Sequence, residues 1–205
     1  SEKLGPHHID PLDAQINLAR CLLKQGQYDD AISVYGKALP EIQKAFGEEH
    51  TTFIAVLKDL AYCYEKEADT ERSIFLYESV LCLRHKVLGE SHPDTVAILK
   101  KLGDLCETAG KHEKAVEFFG CLCDILMRNL GEKHPGTISA MFDMGHNYYE
   151  LEAYQEAAII FHKVYDARCE VLGEEHDDTL FSLSKFAAAL ADLGEYQMAI
   201  DYYNK

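Results

Sequence analysis

One short motif sets the register of the whole chain. Phe46-Gly47-Glu48-Glu49-His50 returns as Leu88-Gly89-Glu90-Ser91-His92, as Leu130-Gly131-Glu132-Lys133-His134 and as Leu172-Gly173-Glu174-Glu175-His176. The step is 42 residues each time, without slip. One step back lands on Leu4-Gly5-Pro6-His7-His8, so the phase exists at the N-terminus already. A fixed step of this size marks a repeat array, in which each supersecondary unit buries its apolar face only against its neighbours. The 205 residues therefore divide into units rather than into one or two ordinary domains.

Each unit reads as two helices. In the first half, apolar or small residues recur at i, i+3, i+4 and i+7, the spacing of one helical face. Leu57, Leu60, Ala61 and Tyr64 show it, and so do Leu99, Leu102, Gly103 and Cys106. Met141, Met144, Gly145, Tyr148 and then Leu183, Phe186, Ala187, Leu190 repeat it. The first unit has Gln15, Leu18, Ala19 and Leu22. A breaker follows (Gly26, Gly110 or Gly194, with Ala68-Asp69 and Glu152-Ala153 in the other two units). A second helix then starts near Tyr28, Thr70, His112, Tyr154 and Tyr196. It carries a small residue (Ala31, Ser73, Ala115, Ala157, Ala199) and an aromatic four later (Tyr35, Tyr77, Phe119, Phe161, Tyr203). The small positions predict close helix–helix approach, with the aromatics filling the space beside them. At the junction, Gly just after a Leu at a helix end can take the left-handed conformation, with positive φ, that closes the last turn. Pro93 and Pro135 suit the first turn of the next helix, and Asp94 and Thr95 are placed to accept its free N–H groups. No β-strand is expected, and the unit boundaries fall at 9–50, 51–92, 93–134, 135–176 and 177–205.

Composition narrows the function. A hydrophobic share of 47% is enough apolar surface to offset the entropy of ordering the chain. Twenty basic against 35 acidic residues give a net charge of −15. That argues against a general nucleic-acid or anionic-membrane binder, both of which need a basic face. No apolar run approaches the roughly 20 residues that span a bilayer, so membrane insertion is not expected. The N-terminus has no apolar stretch of the secretory type. Seven Cys, an odd number scattered among helical residues, fit reduced thiols in the cytoplasm.

The order small residue, breaker, small residue, aromatic resembles the tetratricopeptide repeat. The 42-residue version with Leu-Gly-Glu-x-His-Pro at the junction is similar to the repeats of kinesin light chains. The resemblance spans essentially the whole chain. It implies an all-α fold: a right-handed α-solenoid of antiparallel helix pairs, the tetratricopeptide superhelix. It also implies a scaffold or adaptor whose first helices line a concave groove that binds a protein or peptide. Family groove positions, carried onto this sequence, include Asn17, Arg20 and Lys24 in the first unit and Lys58 and Tyr62 in the second. The third supplies Lys100, Lys101 and Asp104, the fourth Phe142, His146 and Tyr149, and the fifth Lys185. Ile16 and Phe181 fall on groove positions too.

Arg20, Lys58, Lys100 and Lys101 sit at inner positions of consecutive helices, with Tyr62, Phe142, Tyr149 and Phe181 nearby. This predicts a groove for an acidic segment bearing an aromatic or aliphatic anchor, with charge steering the encounter. The plainer reading is that Asp59, Asp104 and Asp143, which interleave with these cations, simply pair with them. The paired Asn of kinesin light chains is matched only by Asn17, so cargo specificity is not implied. A chaperone-type carboxylate clamp is disfavoured, because Asp104 and Asp143 stand where that clamp carries Asn.

Other constellations are weaker. His50, His92, His134 and His176 recur at the repeat step, and neighbouring units at about 8–10 Å cannot share a ligand sphere of about 2 Å. They read as junction-packing residues, and no metal site is expected. Cys121 and Cys123 lie about 200° apart on a helix and face different sides, and the cysteines read as small core residues. No phosphate-binding, dinucleotide-binding, zinc-protease or serine-hydrolase motif occurs, so no cofactor and no enzymatic activity are expected. Residues 1–8 read as the tail of a preceding unit, and the last second-helix, from Tyr196, is shorter than its siblings. Arrays need polar capping units. Uncapped ends predict exposed apolar surface and self-association. A structural or regulatory arm of a larger signalling protein, with intramolecular contacts, is the alternative function.

Overall fold

Two helices per step are what the pattern demands, and a computed structural model of the chain, which describes residues 11–204, contains them. The helices are α1 (Pro11–Lys24), α2 (Tyr28–Phe46), α3 (Thr51–Lys66), α4 (Thr70–Leu88) and α5 (Pro93–Thr108). They continue as α6 (His112–Leu130), α7 (Pro135–Glu150), α8 (Tyr154–Leu172), α9 (Asp177–Asp192) and α10 (Tyr196–Tyr203). No strand occurs among the described residues. The reading of residues 1–8, including His7 and His8, lies outside them. Two compact units can be distinguished, one ending at Thr95 and one starting at Val96, so the boundary falls in the first turn of α5. In the first unit each helix packs on the next from α1 to α4, and in the second from α6 to α10.

The small-and-aromatic pattern builds the core of each unit. In the first unit Ala19, Ala61, Ala31 and Ser73 are fully buried, as is Tyr35, and Tyr77 is nearly so. The Ser73 hydroxyl donates to the Ala61 carbonyl at 3.0 Å, joining the small position of a second helix to that of its partner. In the second unit a Cβ added at Gly103 would stand 2.7 Å from the Phe119 ring, and one at Gly145 would stand 3.1 Å from Phe161. The aromatics thus occupy the space that the small residues leave. The first helix departs from the pattern: Leu18 is 53% exposed, whereas Ile16, expected on the groove face, is 3% exposed and belongs to the core. α1 is the one helix that no described helix precedes.

The joints differ from expectation in their chemistry. Gly47, Gly89, Gly131 and Gly173 end the second helices with φ of 84–92° and ψ of 161–167°. The positive φ is as predicted, but ψ is extended rather than left-handed helical, a region essentially confined to Gly. Each Gly N–H still reaches the carbonyl four residues back. The next helix is capped by the junction histidine. Nδ1 of His50, His92, His134 and His176 accepts from the backbone N–H two residues on, at 3.2, 3.1, 3.1 and 3.1 Å. These histidines are exposed or half-buried N-caps, and His50 also stacks on the Phe46 ring at 4.8 Å. With Nδ1 accepting, the proton of the neutral ring sits on Nε2. Because the imidazole already takes the first free N–H, Asp94 and Thr95 are released for other bonds. Thr95 and Thr137 donate their hydroxyls back to the carbonyls of Gly89 and Gly131, each at 2.9 Å, and Asp94 pairs with Arg84 at 3.4 Å.

Within each pair the tight turn needs a positive φ. Gly26, Gly110 and Gly194 supply it at 69–86°, but Ala68 and Glu152 adopt φ 59° with a Cβ in place. The left-handed region costs an L-residue about 1–2 kcal/mol, more than the extra backbone entropy of Gly. Ala68→Gly and Glu152→Gly are each expected to stabilise the chain by about 1 kcal/mol. Urea titration of the single variants checks this, and a loss of stability in both would refute the strain account.

Candidate binding surface

The groove positions of the first unit lie on α1 and α3. Arg20 Nε is 3.4 Å from Asp59 Oδ2, and the same oxygen accepts from the Tyr35 hydroxyl at 3.2 Å. Burial, with Asp59 beside it, pushes the Tyr35 phenol well above its ordinary value. Asn17 and Lys24 are exposed, and Lys58 is half-buried. Tyr62 meets Tyr28 edge-on at 6.4 Å, and the Lys66 ammonium lies 5.1 Å from its ring centroid. Arg20 is therefore committed to Asp59.

In the second unit Lys100 is committed more deeply. Its Nζ lies 2.9 Å from Asp104 and 3.5 Å from Asp143, and 5.7 Å from the centroid of the Phe119 ring. Burial pulls the Lys100 pKa down, but the bonds and charges of Asp104 and Asp143 outweigh it, so the ammonium holds its proton above its ordinary value. Asp143 is raised as well, first by burial and then by Asp104 and Glu107, against the lowering effect of Lys100. A carboxyl raised in the fold contributes stability in full below its ordinary value of 3.8, and that contribution is lost as pH rises through the raised value. Asp143→Asn is thus expected to match the native chain in acid and to exceed it in stability at pH 7. Thermal melts across that range test it, and equal stability at both ends would refute it. The interleaved acids pair with the cations as the plainer reading had it, and the half-buried Lys101 stands beside this cluster.

Beside Asp143, Asn147 is fully buried. Its amide nitrogen donates to Glu107 Oε2 and to the Asp143 carbonyl, both at 2.8 Å. Its oxygen is 2.9 Å from His112 Nδ1, and since the amide protons are spent, the imidazole nitrogen is the donor. Sequence reasoning missed this network. The available signal was a polar residue at a repeat position held elsewhere by Cys63, Leu105 and Ala189.

Aromatic residues gather on α7 and α9. The Phe142 ring is 5.5 Å from Phe161 and 5.5 Å from Phe181, and the Arg168 guanidinium lies 5.0 Å from its centroid. Phe181 is 49% exposed, with the Lys185 ammonium 5.6 Å from its ring centroid. Tyr149 donates a short hydrogen bond to Asp192 and meets Tyr154 edge-on at 5.3 Å. His146 lies 3.9 Å from Glu150. Phe142, Phe181 and Lys185 are thus brought together, while His146 and Tyr149 are tied to acids of their own.

No disulfide joins any of the seven cysteines. Cys63, Cys106 and Cys123 are buried as expected, but Cys21, Cys82 and Cys121 are exposed, so the core reading fails for these three. Their positions fall on the outward faces of their helices. Among the described residues no group of three or more His, Cys, Asp and Glu side chains could hold a metal ion. No helix among them is long and apolar enough to cross a membrane.

Antiparallel helix pairs at a fixed step, closed by small residues and fully buried aromatics, define an all-α helical-repeat protein. The tetratricopeptide repeat profile matches residues 10–84 and 53–128, and a second tetratricopeptide profile matches residues 137–178. The chain belongs to the tetratricopeptide repeat family, a class of protein-interaction scaffolds that bind proteins or peptides, and its fold is the tetratricopeptide solenoid. Solved structures agree on the fold. The nearly identical TPR-like repeats of a Podosopora anserina protein described as a kinesin light chain superpose with a TM-score of 0.71 at 24% identity. That match covers 97% of this chain and 94% of the other. BtubC (BKLC) from P. vanneervenii gives 0.66 at 20% identity, over 95% of this chain and 80% of that one. The apo form of RapI gives 0.69 at 16% identity, over 94% of this chain and 52% of that one. A search of curated proteins returned no match.

Proposed function

We propose that the first-helix face of α7 and α9 holds a partner peptide, with an aliphatic or aromatic side chain of that peptide seated on Phe142 and Phe181. The observation that carries this is Phe181: a large aromatic left 49% exposed, backed by a second ring at 5.5 Å and flanked by a cation. Exposed apolar surface next to a fixed polar group is the composition of an interaction anchor. Lys185 favours an acidic residue beside the anchor. Arg20 and Lys100 add little to that preference, because Asp59, Asp104 and Asp143 already hold them. Lys58 and Lys101 occupy neighbouring groove positions, the fifth and the sixth, of their own helices. Seven cysteines with no disulfide among them fit a reducing compartment, and we place the protein in the cytoplasm. Peptide display against the full chain tests the reading. A motif with an apolar anchor and a neighbouring acid is expected; Phe181→Ala should abolish its selection and Lys185→Glu should remove the acidic preference. Identical motifs from both variants would overturn it.

A second reading, contact between arrays, is favoured by α9 and α10. Tyr196, Met198, Ile200 and Tyr203 are each about half or more exposed. Beside them a cavity of about 460 Å³ is lined by Ile159, Phe186, Leu190 and Met198. Sedimentation at rising concentration distinguishes the two: association that Met198→Glu abolishes supports it, and a monomer throughout removes it.

A further inference from the structure

Three of the four methionines of the chain, and one buried cysteine, line a single cavity. The cavity measures about 280 Å³ and lies between α6, α7 and α8. Cys123 and Met127 are one turn apart on α6, and Met141 and Met144 are three residues apart on α7, so each pair projects from one face of its helix. The Met144 sulfur lies 3.8 Å from where a Cβ at Gly120 would stand, which sets it against the face of α6 that carries Cys123 and Met127. Cys123 and Met141 are 4% and 3% exposed, while Met127, at 41%, forms the open side. Asp124, Glu132 and Lys163 stand around the same space.

We propose that this cavity is a binding site for a soft monovalent cation, Cu(I), held by the Cys123 thiolate and the thioethers of Met127, Met141 and Met144. Thiolate and thioether sulfur select Cu(I) over hard or borderline ions, and no imidazole or carboxylate set competes for the same place. The charge agrees. On binding, the Cys123 S–H bond breaks, a Cu–S bond forms, the proton leaves to solvent and the metal keeps its oxidation state. One thiolate and one monovalent cation cancel one another and add no net charge to the half-buried site, where Asp124 and Glu132 stand beside Lys163. Methionine is also a common filler of irregular core space, which is the competing account. It explains the buried Met141 but not Met127, which is 41% exposed at the open side.

The test uses the full chain, reduced and anaerobic, with its methionine methyls labelled with ¹³C. One equivalent of Ag(I), and then of Cu(I), should shift the methyl signals of Met127, Met141 and Met144 and leave Met198 unmoved. Competition with bicinchoninate should retain the site when Cys21, Cys82 and Cys121 are replaced by Ser. The combined Met127→Leu, Met141→Leu, Met144→Leu variant should weaken Cu(I) binding by at least about 100-fold, the upper end of what losing a mere outer-shell partner costs. Each Leu is close in volume to Met and costs less than about 1.5 kcal/mol, and the silver titration of the native chain needs no variant. Unmoved methyl signals, binding lost with the three exposed cysteines, or unchanged affinity in the leucine variant would each overturn the proposal.

Discussion

Gly103→Ala is expected to destabilise the protein by about 2 kcal/mol, although alanine is the better helix former by about 1 kcal/mol. The reason is the contact on which the third helix pair closes. The new Cβ would lie 2.7 Å from two ring carbons of Phe119, a distance that real side chains do not tolerate. Phe119 is fully buried, so its ring has nowhere to swing, and the helices must part. Gly36 provides the control: it is exposed, a Cβ there meets nothing within 4 Å, and Gly36→Ala should gain about 1 kcal/mol. A smaller ring position should relieve the clash, so Phe119→Leu is expected to cost less in the Gly103→Ala background than in the native one. Urea midpoints of the four chains make the cycle, and strict additivity would show that the two residues do not oppose one another.

The second large effect is at Asn147. Asn147→Ala is expected to cost about 3 kcal/mol, because it strands a carboxylate and an imidazole together. Glu107 loses an amide donor at 2.8 Å and His112 loses its acceptor at 2.9 Å, while the space of a fully buried side chain is left empty. Asn147→Leu should cost less than the alanine change, since it fills the volume at a position where the preceding repeat carries Leu105. Amide exchange adds a spatial reading: protection should fall first at the start of α6 and the end of α7, where the network ties the chain. A cost below about 0.5 kcal/mol for Asn147→Ala, the range of an ordinary surface change, would mean that the network contributes nothing.

Helices, their pairing and four of the five aromatics were legible because the 42-residue step prints the same physical instructions repeatedly; the fifth, Tyr203, is 56% exposed. Ala61, Gly103, Gly145 and Ala187 are all small, and the aromatics of the second helices vary only between Tyr and Phe. What escaped was whatever depends on a partner outside the pattern. His50 and its three counterparts had the right periodicity, but packing and capping leave the same periodic trace. Only the direction of Nδ1 separates them. The cations were legible, but the choice between a free and a paired Lys100 was not, because the acids that hold it come from its own helix and from α7. Asn147 stood in a column of apolar residues and looked like an exception to the core rather than a hub of it. The cysteine positions were half read: a helical period places Cys63, Cys106 and Cys123 inward, but Cys21, Cys82 and Cys121 fall on the outer side of theirs.

The joints carry a consequence for how such a chain can change its length. Gly89 bonds back four residues to His85, His92 caps two residues ahead, and Thr95 returns six residues to Gly89. These backbone and capping bonds of the hinge are therefore all written in one short stretch of sequence. The Gly131–Thr137 joint uses the same parts at the same distances. A 42-residue cassette cut anywhere in one helix pair and rejoined at the matching point of another brings a complete hinge with it. The number of units is thus a modular quantity, free to grow or shrink by whole cassettes, while the loss of a single residue inside a hinge would throw the capping imidazole out of phase with its helix.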